Sequence, residues 1–172
     1  MKIKTKTKDI KLKMKSINSK APATCNLTIT INASREKVWA VMTDYDHAVE
    51  FVSDLEFSRI VKHEDNVMHV LQRGKTSFGP FSFPVEIERK IQLTPFEKME
   101  SRMTRGTMKK LEGTTTLKAE GAGTRITNRT ESIPNVWLPP LVGRLLVKRE
   151  TRAKFQELRV EILRRKKVSR DR

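Results

Sequence analysis

The sequence predicts an α+β protein in which an antiparallel sheet is covered by one long C-terminal helix. Three observations carry that reading. Between Leu55 and Ser132 the chain is a succession of period-two segments joined by short turns. From about Leu141 to Lys166 the apolar residues instead recur at helical spacing. Between the first strand and the rest of the sheet lie two short helical stretches. Strands joined by short links pair antiparallel, because a parallel pair needs a crossover of about a dozen residues or more. Such a sheet needs a cover on one face, and the final helix is the element able to supply it.

Taken in order, "MKIKTKTKDIKLKMK" alternates Lys with Ile, Thr, Leu or Met, and Asp9-Ile10 shifts the phase by one. Residues 1–22 are read as a basic extension, either disordered or an edge strand, with "SINSKAPA" as linker. The globular domain is set at 23–167 and a basic tail at 168–172. "TCNLTITIN" places Leu27, Ile29 and Ile31 on one face of a first strand. Ser34 is an N-cap for a short apolar helix, Val38 to Met42, and Asp44 or Asp46 is available to cap a second one carrying His47, Val49, Phe51 and Val52. "LEFSRIVKH" and "VMHVLQRG" flank the turn "EDN" as a hairpin. Four more strands follow: "FPVEIERKIQL", "KMESRMTRG", "LEGTTTLKAE" and "TRITNRTES". In the last helix Val147, Thr151, Phe155, Leu158 and Ile162 share a face.

The formal net charge is +16, and it is unevenly spread. Residues 1–20 carry +7 and residues 144–172 carry +8, which leaves the body nearly neutral at +1. A nucleic-acid binder more often bears a basic stripe on its folded body, so this distribution weakens that class. Cys25 is the only cysteine, which excludes an intrachain disulfide, a zinc cluster and a CxxC redox pair. The longest strictly apolar run, Val38 to Met42, is five residues, too short for a signal-peptide core or a membrane span. A cytoplasmic protein is expected, with peripheral membrane contact through the basic ends as an extension of that reading.

Chemistry-bearing residues are sparse. Arg89 interrupts the apolar row Phe83, Val85, Ile87, Ile91, Leu93. If the row faces inward, the guanidinium must find an acceptor. It then either holds a carbonyl, enolate or carboxylate of a ligand, or sits at a strand bend, snorkelling or paired with a protein carboxylate. Alternation also turns Ser101, Thr115, Asn128 and Thr130 inward, and Met68, Met99, Met103 and Met108 would make adaptable walls. His47, His63 and His69 have no metal-ligand spacing, and neither a nucleophile elbow nor a dinucleotide loop is present, so no metal or cofactor is expected.

The order of elements, together with "INASREKVWAVMTDYDHAVEFV", "SRIVKHEDNVMHVLQRG" and "FQELRVEILRR", resembles the helix-grip fold of the START-like (SRPBCC) superfamily. More narrowly it is similar to the bacterial polyketide cyclase/dehydrase-like branch, which also contains coenzyme-Q-binding and ribosome-association proteins. The resemblance implies a curved sheet gripping the long helix around a cavity, with the helix pair near its mouth. Trp39, Tyr45, Phe51 and Trp137 would then crowd that mouth, and "FGPFSF", with Phe83, and "WLPP" would act as a lid. Thr151 and Phe155 on the helix complete the expected lining. Three functions follow: a carrier of a lipid-, quinone- or polyketide-like molecule; a module for an acidic partner, membrane surface or RNA, bound through the basic ends; and a cyclase or dehydrase, for which Arg89 is the one weak catalytic candidate. The carrier ranks first.

Overall fold

The computed structural model describes residues 10–15, 23–78, 81–135 and 140–168, and for Lys15, Phe78, Phe81 and 140–142 the backbone alone. Trp137 and the outer parts of both basic ends lie outside this set. In chain order the elements are β1 (Lys11–Lys15), β2 (Ala23–Ile31), α1 (Arg35–Met42), a 3-10 turn (Ala48–Glu50), β3 (Leu55–Glu64), β4 (Val67–Phe78), β5 (Phe81–Thr94), β6 (Lys98–Gly106), β7 (Lys110–Glu120), β8 (Gly123–Ile133) and α2 (Pro140–Val168). Among the described residues the strands form one 8-stranded sheet in the order β1-β2-β8-β7-β6-β5-β4-β3, with every neighbouring pair antiparallel. This is the helix-grip architecture, a curved sheet with one long helix across it. The "EDN" hairpin turns through Asp65 at φ 48, and the β7–β8 hairpin turns through Gly121 at φ 56. Short polar residues and glycine tolerate such left-handed backbone best.

The strand order explains the helix pair. β2 pairs with β8 near one edge while β3 forms the other, so the chain between them must cross the whole end of the sheet. It does so in two short pieces. α1 is opened by Ser34, whose hydroxyl accepts from the Lys37 N–H at 3.5 Å, and is closed by Thr43, which bonds back to the Trp39 carbonyl. The expected second helix is a single 3-10 turn, and neither Asp44 nor Asp46 caps it. Each residue of the break serves a different element instead. Asp44 accepts from Arg165 of α2 at 2.8 Å, the Tyr45 ring lies beside Arg89 of β5, and Asp46 Oδ1 accepts from the Ile60 N–H of β3 at 2.7 Å.

The basic N-terminal segment contributes the edge strand β1. After the phase shift at Asp9-Ile10, the even positions face the core: Ile10 is buried, Leu12 packs beside it, and Lys11 and Lys13 stay exposed. Lysines along an edge discourage a further strand from adding there.

The core is divided. One cluster joins Leu27, Ile29 and Ile31 of β2, Val38 and Val41 of α1, and Leu117 and Ile126 to Phe155, Leu158 and Ile162 of α2. The second gathers Met68, Val70, Ile91, Leu93 and Met99 from β4, β5 and β6, with no described α2 residue in it. Trp39 and Met42 touch both. The C-terminal half of α2 is therefore seated on the β2 side of the sheet and on α1.

An ion-pair network fixes that seat. Glu161 accepts from Arg164 at 2.7 Å and from Arg165 at 2.6 Å, and Arg165 reaches on to Asp44 and lies over the Phe51 ring at 5.5 Å. The bonds from Arg164 and then Arg165 outweigh burial and hold the Glu161 carboxyl down to about 2. With a folded value below the unfolded one, the stabilisation is complete above about pH 4.5 and is lost as pH falls toward 2. Because the carboxylate side chain is only 7% exposed, Glu161→Gln is expected to cost on the order of 2–3 kcal/mol at neutral pH. Urea melts from pH 7 to 2 should show wild type losing this margin below pH 5 while the variant's curve is flatter.

Candidate ligand-binding site on the helix-facing side of the sheet

Cys25 of β2 donates to Thr151 Oγ1 of α2 at 3.8 Å, which identifies the face of the sheet that α2 covers. Register carries that face across every strand. Leu12, Leu27, Asn128, Thr115, Met99 and Leu93 form one row, and Cys25, Thr130, Gly113, Ser101, Ile91 and Met68 form the next. Arg89 then pairs with Val70 on one side and Met103 on the other, and Gln72 pairs with Ser58. Met68, Met99, Ser101, Met103, Thr115, Asn128 and Arg89 thus share the helix-facing side.

Two polar chains run over this otherwise apolar surface. In the first, Asn128 Nδ2 donates to Thr115 Oγ1 at 2.9 Å and the Thr130 hydroxyl donates to Asn128 Oδ1 at 2.9 Å. In the second, Arg89 Nη2 donates to Gln72 Oε1, and Gln72 Nε2 donates to the Ser58 hydroxyl at 3.0 Å. Arginine has no acceptor, so its bond fixes which way the Gln72 amide points. Arg89 stands at the register shift between Glu88 and Arg89, a strand bend, yet its partner is a neutral amide and not a carboxylate. Its Nε is buried without a partner.

Two further groups converge on Arg89. Its Cζ lies 5.8 Å from the centroid of the Tyr45 ring, and burial pushes the Tyr45 phenol above its usual range, opposed by the Arg89 charge. From α2 comes Lys154, on the turn between Thr151 and Leu158. Burial, followed by repulsion from Arg89, lowers its ammonium to about 8. Its side chain is nonetheless open to solvent. The atoms packed around the ammonium, with the Arg89 charge, disfavour its protonated form even though the stem is open to solvent.

The other expected lining residues have these places. Trp39 packs between the two core clusters and tilts 5.8 Å from Phe96 in the β5–β6 turn. Phe51 sits under Arg165, toward the C-terminal end of α2. Phe83 is 38% exposed toward the outer end of β5, and Phe155 is buried in the β2 core cluster. His47 and His63 are exposed, and His69 alternates to the other face of β4 from Val70. Gln72, Ser58 and Lys154 were not singled out from sequence. Continuing the alternation Met68, Val70, Gln72 finds the glutamine, and the spacing Thr151, Lys154, Leu158 finds the lysine.

Two depressions bounded by described residues lie away from Arg89. One of about 520 Å³ is lined by Arg35 of α1, Lys98 of β6 and Lys118 of β7, and one of about 330 Å³ lies between Phe51 and Val160. Both are open surface features, and neither contains the convergent polar groups. Among the described residues no cluster of His, Cys, Asp or Glu is placed to hold a metal, and no helix is long and apolar enough to cross a membrane.

Fold and register define a START-like helix-grip protein, and comparison with known proteins narrows this. Residues 31–158 match the model of the family described as polyketide cyclase / dehydrase and lipid transport, and the chain belongs to that family. By sequence, no characterised protein matches it significantly. Among solved structures it is similar to the Zhui aromatase/cyclase from a Streptomyces species, with TM-score 0.72 and 15% identity over 83% of this chain and 94% of the other. A START superfamily protein from Mycobacterium smegmatis gives 0.71 and 11% over 82% and 97%. A STAR-related lipid transfer protein from Xanthomonas axonopodis gives 0.70 and 13% over 92% and 96%. At such identities the likeness speaks for the fold alone.

If Gln72 is what neutralises the burial cost of Arg89, Gln72→Leu should destabilise the protein by about 1–3 kcal/mol. Arg89→Met in the same chain should recover much of that loss. A double-mutant cycle by urea denaturation measures the coupling.

Proposed function

We propose that the protein binds and carries a hydrophobic small molecule, lipid-, quinone- or polyketide-like, between the β4–β6 part of the sheet and α2. The supporting observation is the division of the core. α2 closes on β2 and α1, while the Met68–Ile91–Met99 cluster is packed by Trp39 and Met42 of α1 but by no described residue of α2, and shares its face with Arg89, Ser101 and Met103. Apolar walls with a few convergent polar groups are the usual makeup of a small-molecule site. The family and its structural relatives point to the same two activities, ligand carriage and cyclisation.

A second reading, a cyclase or dehydrase, is favoured by one observation: Arg89, Tyr45 and Lys154 converge, and an amine at about 8 is suited to proton transfer near neutral pH. No histidine reaches them, which leaves the acid–base set thin. In the enzyme reading Arg89→Ala abolishes turnover of a poly-β-ketone; in the carrier reading wild type has none to lose. The acidic-partner reading has less to stand on. On α2, Arg164 and Arg165 are engaged by Glu161 and Asp44, and Lys166 donates to the Asn32 carbonyl at 2.5 Å.

The test is retention of ligand. Organic extraction of the purified protein followed by mass spectrometry should release a hydrophobic molecule. Ser101→Trp should fold normally, because the indole enters the gap, and should weaken binding of a neutral fluorescent naphthylamine by about tenfold or more. A variant that cannot fold would mean that the space is already filled.

A further inference from the structure

Between the helix-facing side of the sheet and α2, Arg89 and Lys154 have no carboxylate bonded to them among the described residues. Arg89 bonds only the neutral Gln72 amide, and its Nε has no partner. Lys154 forms no hydrogen bond or ion pair among the described residues. The carboxylates near it are committed elsewhere. Glu157 is held by the Ser53 N–H at 3.3 Å and the Ser53 hydroxyl at 2.5 Å. Glu150 is paired with Arg149 at 3.0 Å and pressed by burial and by Asp54 toward its protonated form. No described residue bonds the Tyr45 hydroxyl. A guanidinium with a buried, unbonded Nε and no carboxylate on it destabilises the empty protein unless something negative joins it, and a second cation nearby, on the solvent-bordered face of α2, adds to the positive field there.

We propose that the carried molecule is an amphiphile with a carboxylate head, bound by Arg89 and Lys154 with the Tyr45 hydroxyl as third donor, its apolar tail lying against the Met68–Ile91–Met99 surface. This rests on the reading that a hydrophobic ligand occupies this side of the sheet. The planar guanidinium fork matches a planar carboxylate, and its free Nε supplies the donor that Gln72 leaves unused. The ammonium adds a mobile second charge.

The head group is linked to protons. In the empty site Lys154 titrates near 8 under burial and Arg89 repulsion, with Glu157 acting weakly the other way. The charged groups acting on it are Arg89 from β5 and Glu157 on its own helix. A carboxylate beside the ammonium raises its pKa, so binding takes up protons above about pH 8.

The experiment is calorimetric titration of the full chain with dodecanoate, dodecanol and dodecylamine, in buffers of different ionisation heat. Dodecanoate should bind about tenfold tighter than dodecanol, with dodecylamine weakest. At pH 8.5 its binding should take up a fraction of a proton. Lys154→Met should abolish the proton uptake and remove most of the preference for the acid, and Arg89→Gln should also reduce that preference. Removing a desolvated cation should leave the melting temperature of Lys154→Met unchanged or higher, so this variant keeps the test meaningful if Arg89→Gln folds poorly. Equal affinity for acid and alcohol overturns the head-group assignment and leaves carriage standing. Failure of all three probes and of the neutral naphthylamine overturns both.

Discussion

The one-sided seating of α2 is the constraint on which the rest of the molecule depends. Phe155, Leu158 and Ile162 enter a core made by β2, β8 and α1, and the Glu161–Arg165–Asp44 network fixes the same half of the helix to the break after α1. Buried apolar area supplies the energy, at roughly 25 cal/mol per Å². The charged network adds register, since a carboxylate with three short bonds tolerates no slide of the helix. With one flank of α2 committed, the strands on the other side need not be filled by it.

That division gives polar residues a place inside. A solid core would expel Arg89, Gln72, Ser58 and Lys154 or pay several kcal/mol for each unpaired charge. Here they are partly satisfied by one another, and the remainder is an excess of hydrogen-bond donors. Residual unsatisfied polarity at a functional surface is a cost to folding that binding can recover. The same logic accounts for the division of labour in Asp44, Tyr45 and Asp46. Two of them are structural anchors to α2 and β3, and the tyrosine between them reaches the strand that carries Arg89.

Much of this was legible in the sequence. The strands, their antiparallel order, the long helix and the family resemblance follow from period-two and helical spacing, because each element is amphipathic enough to declare its buried face. The second short helix was not: Asp44 and Asp46 bond to α2 and β3 and the Tyr45 ring lies against Arg89, which leaves the backbone only a 3-10 turn. Alternation placed Arg89, Ser101, Thr115 and Asn128 on the inner side, since register transmits a face from strand to strand. It could not name Gln72 as the acceptor of Arg89, because cross-strand pairing is a long-range fact. It missed Lys154 because a lysine in a helix rich in arginine and lysine looks like a solvated one. Phe51 and Trp39 were expected at the mouth from the place of the helix pair in the resembled fold; here Phe51 lies under Arg165 and Trp39 at the junction of the two core clusters.

The central claim is that a gap accessible to small apolar molecules lies beside Ser101 and Arg89, on the side of the sheet facing α2. Cys25 is the only native thiol, buried and with its pKa raised by burial, so the background is low. A single Ser101→Cys variant can therefore be followed with a small uncharged bimane reagent. The account predicts that the new thiol reacts in the folded protein and is protected when a hydrophobic ligand is bound. A thiol as inert as Cys25 until the protein unfolds would contradict it.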